Sequence, residues 1–427
     1  MIRSLAELSL VLSAVAAAAV VTGCASEPRV VRVYDGRIVE GRYVSPDAYA
    51  AFLRGALAEE AGDLKSALTH YAAAAGDDED DPEIMTRIGE VRCKLDPRDA
   101  EADRAFARAQ KLDLTYASAF AARARCALLR GQNDEAAKLA RQAAAADPKN
   151  VGLAALAIRT DAGRADPAAR DRAIALTVAH GSNAAAWDAL MVWGRAHRDA
   201  ELVARALEGL VRAAPTRSTE VEEGAIALLE GGAIPLARRV AATVADAPRE
   251  LGVIGPRVAT VARLAVDEAL ARGDRKVALA RATRGHVSLP EVAARAFLLG
   301  HKDIAAAIAG SVADADPGAS GALMVKAALK APGPSAAPGA GAATKGRPDP
   351  LANVTDQPPE ICALVFADRL ATSAGADAAR TWLAKITRTP MAPRDPLAGA
   401  LAVDLAARGV LPVDSVPAEL RASEQPK

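Results

Sequence analysis

The chain has 427 residues, room for about three ordinary domains or for an array of repeats that touch only their neighbours. It is 51% hydrophobic but 3% aromatic, so its core must be built from small side chains at close approach; abundant Ala, Leu, Arg and Glu, with little alternation of Val and Ile, predict an all-α chain with few strands. Fifty-three basic residues balance fifty-three acidic ones and no Lys/Arg stripe carries interleaved aromatics, which argues against a nucleic-acid partner.

At the N-terminus Arg3 precedes an apolar run over residues 8–21 that ends in Thr22-Gly23-Cys24. The run is too short and too early for a membrane span, and residues 1–23 read as a secretory signal. Val21-Thr22-Gly23-Cys24 resembles the lipobox of bacterial lipoproteins, although Glu7 departs from the usual basic end. The resemblance implies that Cys24 carries a diacylglycerol and palmitate-class acyl chains and becomes the first residue of the mature protein. Ala25-Ser26, with no Asp after Cys24, is similar to the outer-membrane address of that family. Such an anchor holds firmly, because each buried methylene adds about 0.8 kcal/mol.

Residues 24–45 form a tether. Within it Val30-Val31-Arg32-Val33-Tyr34, Asp35-Gly36 and Arg37-Ile38-Val39 predict a hairpin, since Asp-Gly tolerates the positive φ of a two-residue turn. A lone hairpin is marginal in water, so it docks on the first helices, pairs with a partner's sheet edge or stays a tether.

From Ser45-Pro46-Asp47, a helix start, the pattern becomes one of helix pairs over residues 46–330. Gly62 is followed by Ala67, Tyr71 and Ala74; Gly131 by Ala136, Ala140 and Ala143; Gly232 by Ala237, Ala241 and Val244; Gly273 by Ala278, Ala282 and Gly285; Gly300 by Ala305, Ala309 and Val312. The positions of Gly62 and Gly300 differ by seven times 34, so eight repeats fit. The interval from Gly232 to Gly273 is 41 and the next, to Gly300, is 27, which predicts one first helix lengthened and the following one shortened by about two turns.

A 34-residue period with Gly at the inter-helix turn, small residues at the helix contact and Pro at repeat ends (Pro148, Pro317) resembles the tetratricopeptide repeat (TPR) of a Gram-negative lipoprotein. Trp187 with Leu190, Met85 with Ile88-Gly89, and Ala102 with Phe106 fit the family pattern, whereas Arg54, Arg123 and the stretch 163–182 depart from it. The resemblance implies a right-handed α-solenoid whose first helices line a concave, protein-binding groove. It covers about two-thirds of the chain.

Beyond a helix over 320–330, the Pro/Gly/Ala-rich residues 331–350 read as a flexible linker that interrupts a ninth unit. Residues 351–421 predict a helical capping module with helices at 359–373, 377–387 and 396–408, ahead of a disordered tail at 422–427.

Chemistry-bearing constellations are sparse. His70, His180, His197, His286 and His301 never fall at metal-ligand spacing, the Gly339–Gly346 stretch lacks the order of a phosphate loop, and no G-x-S-x-G elbow occurs. The acidic run 77–81 matches no Ca²⁺ loop and serves the next helix, which Asp81 caps. The chain is therefore expected to be no enzyme, to hold no cofactor and to take no small-molecule substrate. Cys93 and Cys126 fall in adjacent first helices, close to one repeat period apart, and are either two buried thiols or a disulfide, with Cys362 left over.

The expected function is that of a membrane-anchored scaffold for envelope proteins or peptides, held to the membrane through the lipid on Cys24. Barrel-assembly and secretin-pilot lipoproteins are similar in outline, and a purely structural envelope lipoprotein or an enzyme hidden in the C-terminal module are the alternatives. On the first helices Tyr49, Phe52 and Glu59 share one stripe, away from Ala51, Gly55 and Ala58, which pack on the second helix; Ser118, Ala121 and Arg125 match it two repeats on. Phe52, Ala56 and Ser118 stand where some relatives carry a clamp for a terminal carboxylate, so a partner would be held by aromatic contact with Arg125 as an anchor.

Overall fold

The computed structural model describes residues 29–34, 37–42, 45–163, 167–247, 256–331, 358–386 and 396–416. The secretory signal, Cys24, most of the interrupting linker and the C-terminal tail lie outside the described residues. Near the start, Arg29–Tyr34 (β1) pairs antiparallel with Arg37–Arg42 (β2), Val33 opposite Ile38. The rest of the described chain is helical, and it divides into two compact units, Met1–Pro148 and Lys149–Lys427.

The first unit holds α1 (Pro46–Glu60), α2 (Leu64–Asp77), α3 (Pro82–Leu95), α4 (Ala100–Leu112), α5 (Ala117–Leu129) and α6 (Asn133–Ala146). Their ends are set by local chemistry. Ser45 accepts from the amides of Asp47 and Ala48, Asp81 from those of Glu83 and Ile84, and each is followed by a proline that fits the first turn. Gly62 and Gly131 have φ of 79° and 73°, the left-handed backbone that reverses the chain between the helices of a pair.

Packing follows the small-residue ladder. Ala67, Tyr71 and Ala74 of α2 are buried, as are Ala136, Ala140 and Ala143 of α6. A Cβ on Gly55 would lie 2.7 Å from the Tyr71 ring, and one on Gly89 would lie 2.7 Å from Phe106, so each first helix is bare where the aromatic of its second helix lies on it. α1 packs on α2, α3 on α4 and α5 on α6; α2 and α4 also pack on the next first helix, and α3 on α5. Cys93 of α3 and Cys126 of α5 are joined by a disulfide, their Cα atoms 5.8 Å apart, so the sequence alternative of two free thiols does not hold.

The second unit continues the same grammar with α7 (Val151–Asp161), α8 (Pro167–Ala179), α9 (Ala184–Ala196), α10 (Ala200–Ala213), α11 (Ser218–Glu230), α12 (Ile234–Ala245), α13 (Ala259–Ala271), α14 (Arg275–Arg284), α15 (Leu289–Leu298) and α16 (Lys302–Ala315). Gly232, Gly273 and Gly300 again have positive φ, and Ala237, Ala241, Ala278, Ala282, Ala305 and Ala309 are buried behind them.

The spacing anomaly has a different origin from the one the intervals predict. α13 has 13 residues, an ordinary length, so the excess lies in the connection between α12 and α13 rather than in a lengthened first helix. The deficit is shared by α14 and α15, which have 10 residues each. Val258, the residue before α13, supplies no side-chain cap; instead the buried Glu222 carboxylate of α11 accepts from the amides of Arg257 and Val258 at 3.1 and 2.8 Å.

Ser320–Lys330 (α17), Glu360–Ala374 (α18), Ala376–Ile386 (α19) and Pro396–Ala407 (α20) complete the unit, within about one residue of the boundaries read from the sequence. α17 packs on α18, so the ninth pair closes across the insert. The helices after the insert share one apolar core with α13–α17, running from Ala262 to Val416. Inside it the Arg295 guanidinium makes two 2.9 Å bonds to Asp267, both side chains fully buried, and Glu291 bridges Arg295 to Arg263.

Candidate protein-interaction surface

The first helices of the first unit carry a ladder of charges that largely satisfy one another. Glu59 of α1 accepts from Lys94 of α3 at 2.6 Å and from the Tyr71 hydroxyl at 2.9 Å. Burial pushes the Glu59 carboxyl upward, but the Lys94 ammonium and the Tyr71 hydroxyl outweigh it and hold the group below its usual value. Lys94 also stands 3.8 Å from Glu90, which accepts from Arg125 of α5 at 2.9 Å and pairs with Arg87. Glu83 completes the row by accepting from Arg87 and from the Tyr116 hydroxyl; burial and that carboxylate raise the Tyr116 hydroxyl well above its ordinary value.

Against this row the sequence-predicted residues separate. Tyr49 is 57% exposed and free to meet a partner. Phe52, expected beside it, is half-buried: its ring lies 5.4 Å from that of Tyr71 and packs against the buried cluster of Ala67, Tyr71 and Val91 at the seam between pairs. Glu59 is committed to Lys94 and Tyr71. Ser118 is half-buried beside the Tyr116 hydroxyl, and Ala121 is core. Arg125 is exposed, but its guanidinium is already held by Glu90. Rotation about the helix axis separates the two faces, since Phe52 lies about 100° from the next residue, Leu53, and that turn carries it from the surface to the seam.

The apolar surface of α1 is instead Tyr49, Leu53 and Leu57, at 57%, 43% and 65% exposure. Their regular spacing, one helical turn at each step, was available in the sequence. What it could not supply was which of the apolar positions on this helix a neighbouring helix would cover.

Among the described residues no group of three or more His, Cys, Asp or Glu side chains is placed to hold a metal ion, and no helix is long and apolar enough to cross a membrane. The architecture, tandem helix pairs with a glycine turn and a 34-residue period, is that of a TPR-like helical-repeat protein. No protein-family model matches the sequence, and no curated protein matches it. Among solved structures it is similar to the structure of Naa15/Naa10 bound to HypK-THB, at 12% identity and a TM-score of 0.30 over 84% of this chain. The match takes in 51% of that chain, so this protein spans about half its length.

Proposed function

We propose that this protein is a non-enzymatic scaffold that binds protein partners in a bacterial cell envelope, tethered through a lipid on Cys24 and acting as an assembly factor or adaptor. The observation that carries the reading is the exposed apolar stripe of α1, Tyr49, Leu53 and Leu57, beside a row of charges on α1, α3 and α5 that are already paired. A surface of that kind suits a protein face better than a charged small molecule, because its fixed charges have little left to offer a free ion. The Cys93–Cys126 disulfide favours an oxidising compartment, in keeping with export by the N-terminal signal.

Two measurements test the two halves of the reading. Labelled palmitate should enter the wild type and not Cys24→Ala, and the variant should leave the membrane fraction; a variant that stays membrane-bound overturns the anchor. For the scaffold, a photo-crosslinker placed at Tyr49 or Arg125 in the full-length chain should yield discrete protein adducts in cells, while one at Arg104, on the exposed face of α4, should not. Absence of adducts from all three positions would favour a structural envelope lipoprotein that only spaces layers.

A further inference from the structure

The seam between the first helices α3 and α5 is built of small side chains. Its buried apolar contacts are the cluster of Met85, Ala109 and Ala119 and, further along, that of Cys93, Ala122 and Cys126 with Ala102 and Phe106 of α4. Five alanines make up most of the buried residues of α5, so little apolar area holds the two helices in register. The polar tie across them is also light. Arg125, with 46% of its side chain exposed, donates to Glu90 at 2.9 Å, and an ion pair that open to solvent contributes little on its own. The Cys93–Cys126 bond stands beside that tie: Cys93 precedes Lys94, which lies 3.8 Å from Glu90, and Cys126 follows Arg125.

We infer that this disulfide positions the partner-binding face of α3 and α5, holding Lys94, Glu90 and Arg125 in the arrangement a protein partner meets, so that the face is complete only in the oxidised chain. Two unbonded sulfurs need more room than a bonded pair, and the small residues around them let α5 shift to provide it. The Arg125–Glu90 hydrogen bond weakens steeply with distance and angle, so it loosens with that shift. Burial sets the order of events. The cysteines are 1% and 3% exposed in the folded chain, which leaves an attacking thiolate no path to them, so the bond forms before α4 closes over it and is then protected. Its formation needs an oxidant that itself carries a disulfide. One cysteine thiolate attacks a sulfur of that disulfide, the other displaces the mixed disulfide, and the oxidant leaves as a dithiol with the two electrons and two protons of the cysteine pair. This rests on the scaffold reading and adds a redox condition to it.

The full-length mature protein, refolded either oxidised or in dithiothreitol, separates positioning from stability when both forms are studied well below their unfolding transitions. Amide hydrogen exchange over 117–129 should be about tenfold faster in the reduced form, with helicity and the exchange over 149–427 unchanged. In cells, Cys93→Ala should lose the protein adducts of a photo-crosslinker at Arg125 and keep those of one at Tyr49, which lies on α1 away from this seam. If Cys93→Ala does not accumulate, exchange in the reduced wild type decides alone. Equal exchange over 117–129 in the two forms overturns the inference, and so do Arg125 adducts that persist in Cys93→Ala. Exchange that quickens along the whole chain, or adducts lost from both positions, overturns it too, because the bond would then be a general staple. Faster exchange confined to 117–129, with no adducts from either position in the wild type, would sink the scaffold reading while the redox dependence of the seam stands.

Discussion

Arg198 stands in the turn between α9 and α10, one repeat period before Gly232, with φ of 54° where its repeat counterpart has 79°. A Cβ in left-handed backbone costs about 1 kcal/mol, so the pair packing holds the turn against the preference of its own residue. Arg198→Gly should raise the stability of the second unit by about 0.5–1 kcal/mol, read as a higher midpoint in denaturant unfolding; a lower midpoint would mean that the arginine side chain makes up the difference. Glu59 poses a question of sign. Its folded pKa is below the ordinary value, so the stability it contributes is present above the unfolded carboxylate value, about 4.3, and is lost as pH falls through the folded one. Wild type should therefore be more stable than Glu59→Gln at neutral pH, with the two curves converging in acid. A gap that stays constant down to low pH would assign the effect to shape rather than charge.

Helix boundaries were legible because they obey rules that act within a few residues. Ser45, Asp81 and the prolines after them announce starts, and the turn glycines announce reversals. The excess between Gly232 and Gly273 was misplaced for the complementary reason. Intervals between glycines count residues without saying which element holds them, and α13 could begin late because Glu222 of another helix caps it. The disulfide between α3 and α5 is likewise a property of two elements. It closes a sequence separation of 33, which the loop-entropy model values at about 3.7 kcal/mol. Replacing Cys93 and Cys126 together by Ala should lower the unfolding free energy of the segment 45–148 by about 3.7 kcal/mol, with helicity unchanged below the transition. Loss of less than about 1 kcal/mol would show that the packed first helices hold their seam without the bond.

On the scale of the molecule the chain parts at Pro148, a repeat end that the sequence already marked. Helix pairs that contact only their neighbours can fold in pieces, so the segments 45–148 and 149–427 made separately should each be helical and unfold cooperatively. Unfolding of either fragment on separation would mean that the boundary carries stabilising contacts. The stretch after the insert should not survive alone, because α18 packs against α17 and shares the core that begins at Ala262. The sequence by itself determined the all-α character, the repeat period, the turn positions and most helix ends, since each depends on backbone preference and spacing inside one or two helical turns. Only the tertiary structure decided that Phe52 packs against the core while Leu53 and Leu57 are surface, that Cys93 meets Cys126, and that the last helices complete a ninth pair. Those outcomes depend on which helix lies over which face, and residues far apart in the chain meet there without leaving a local pattern to read.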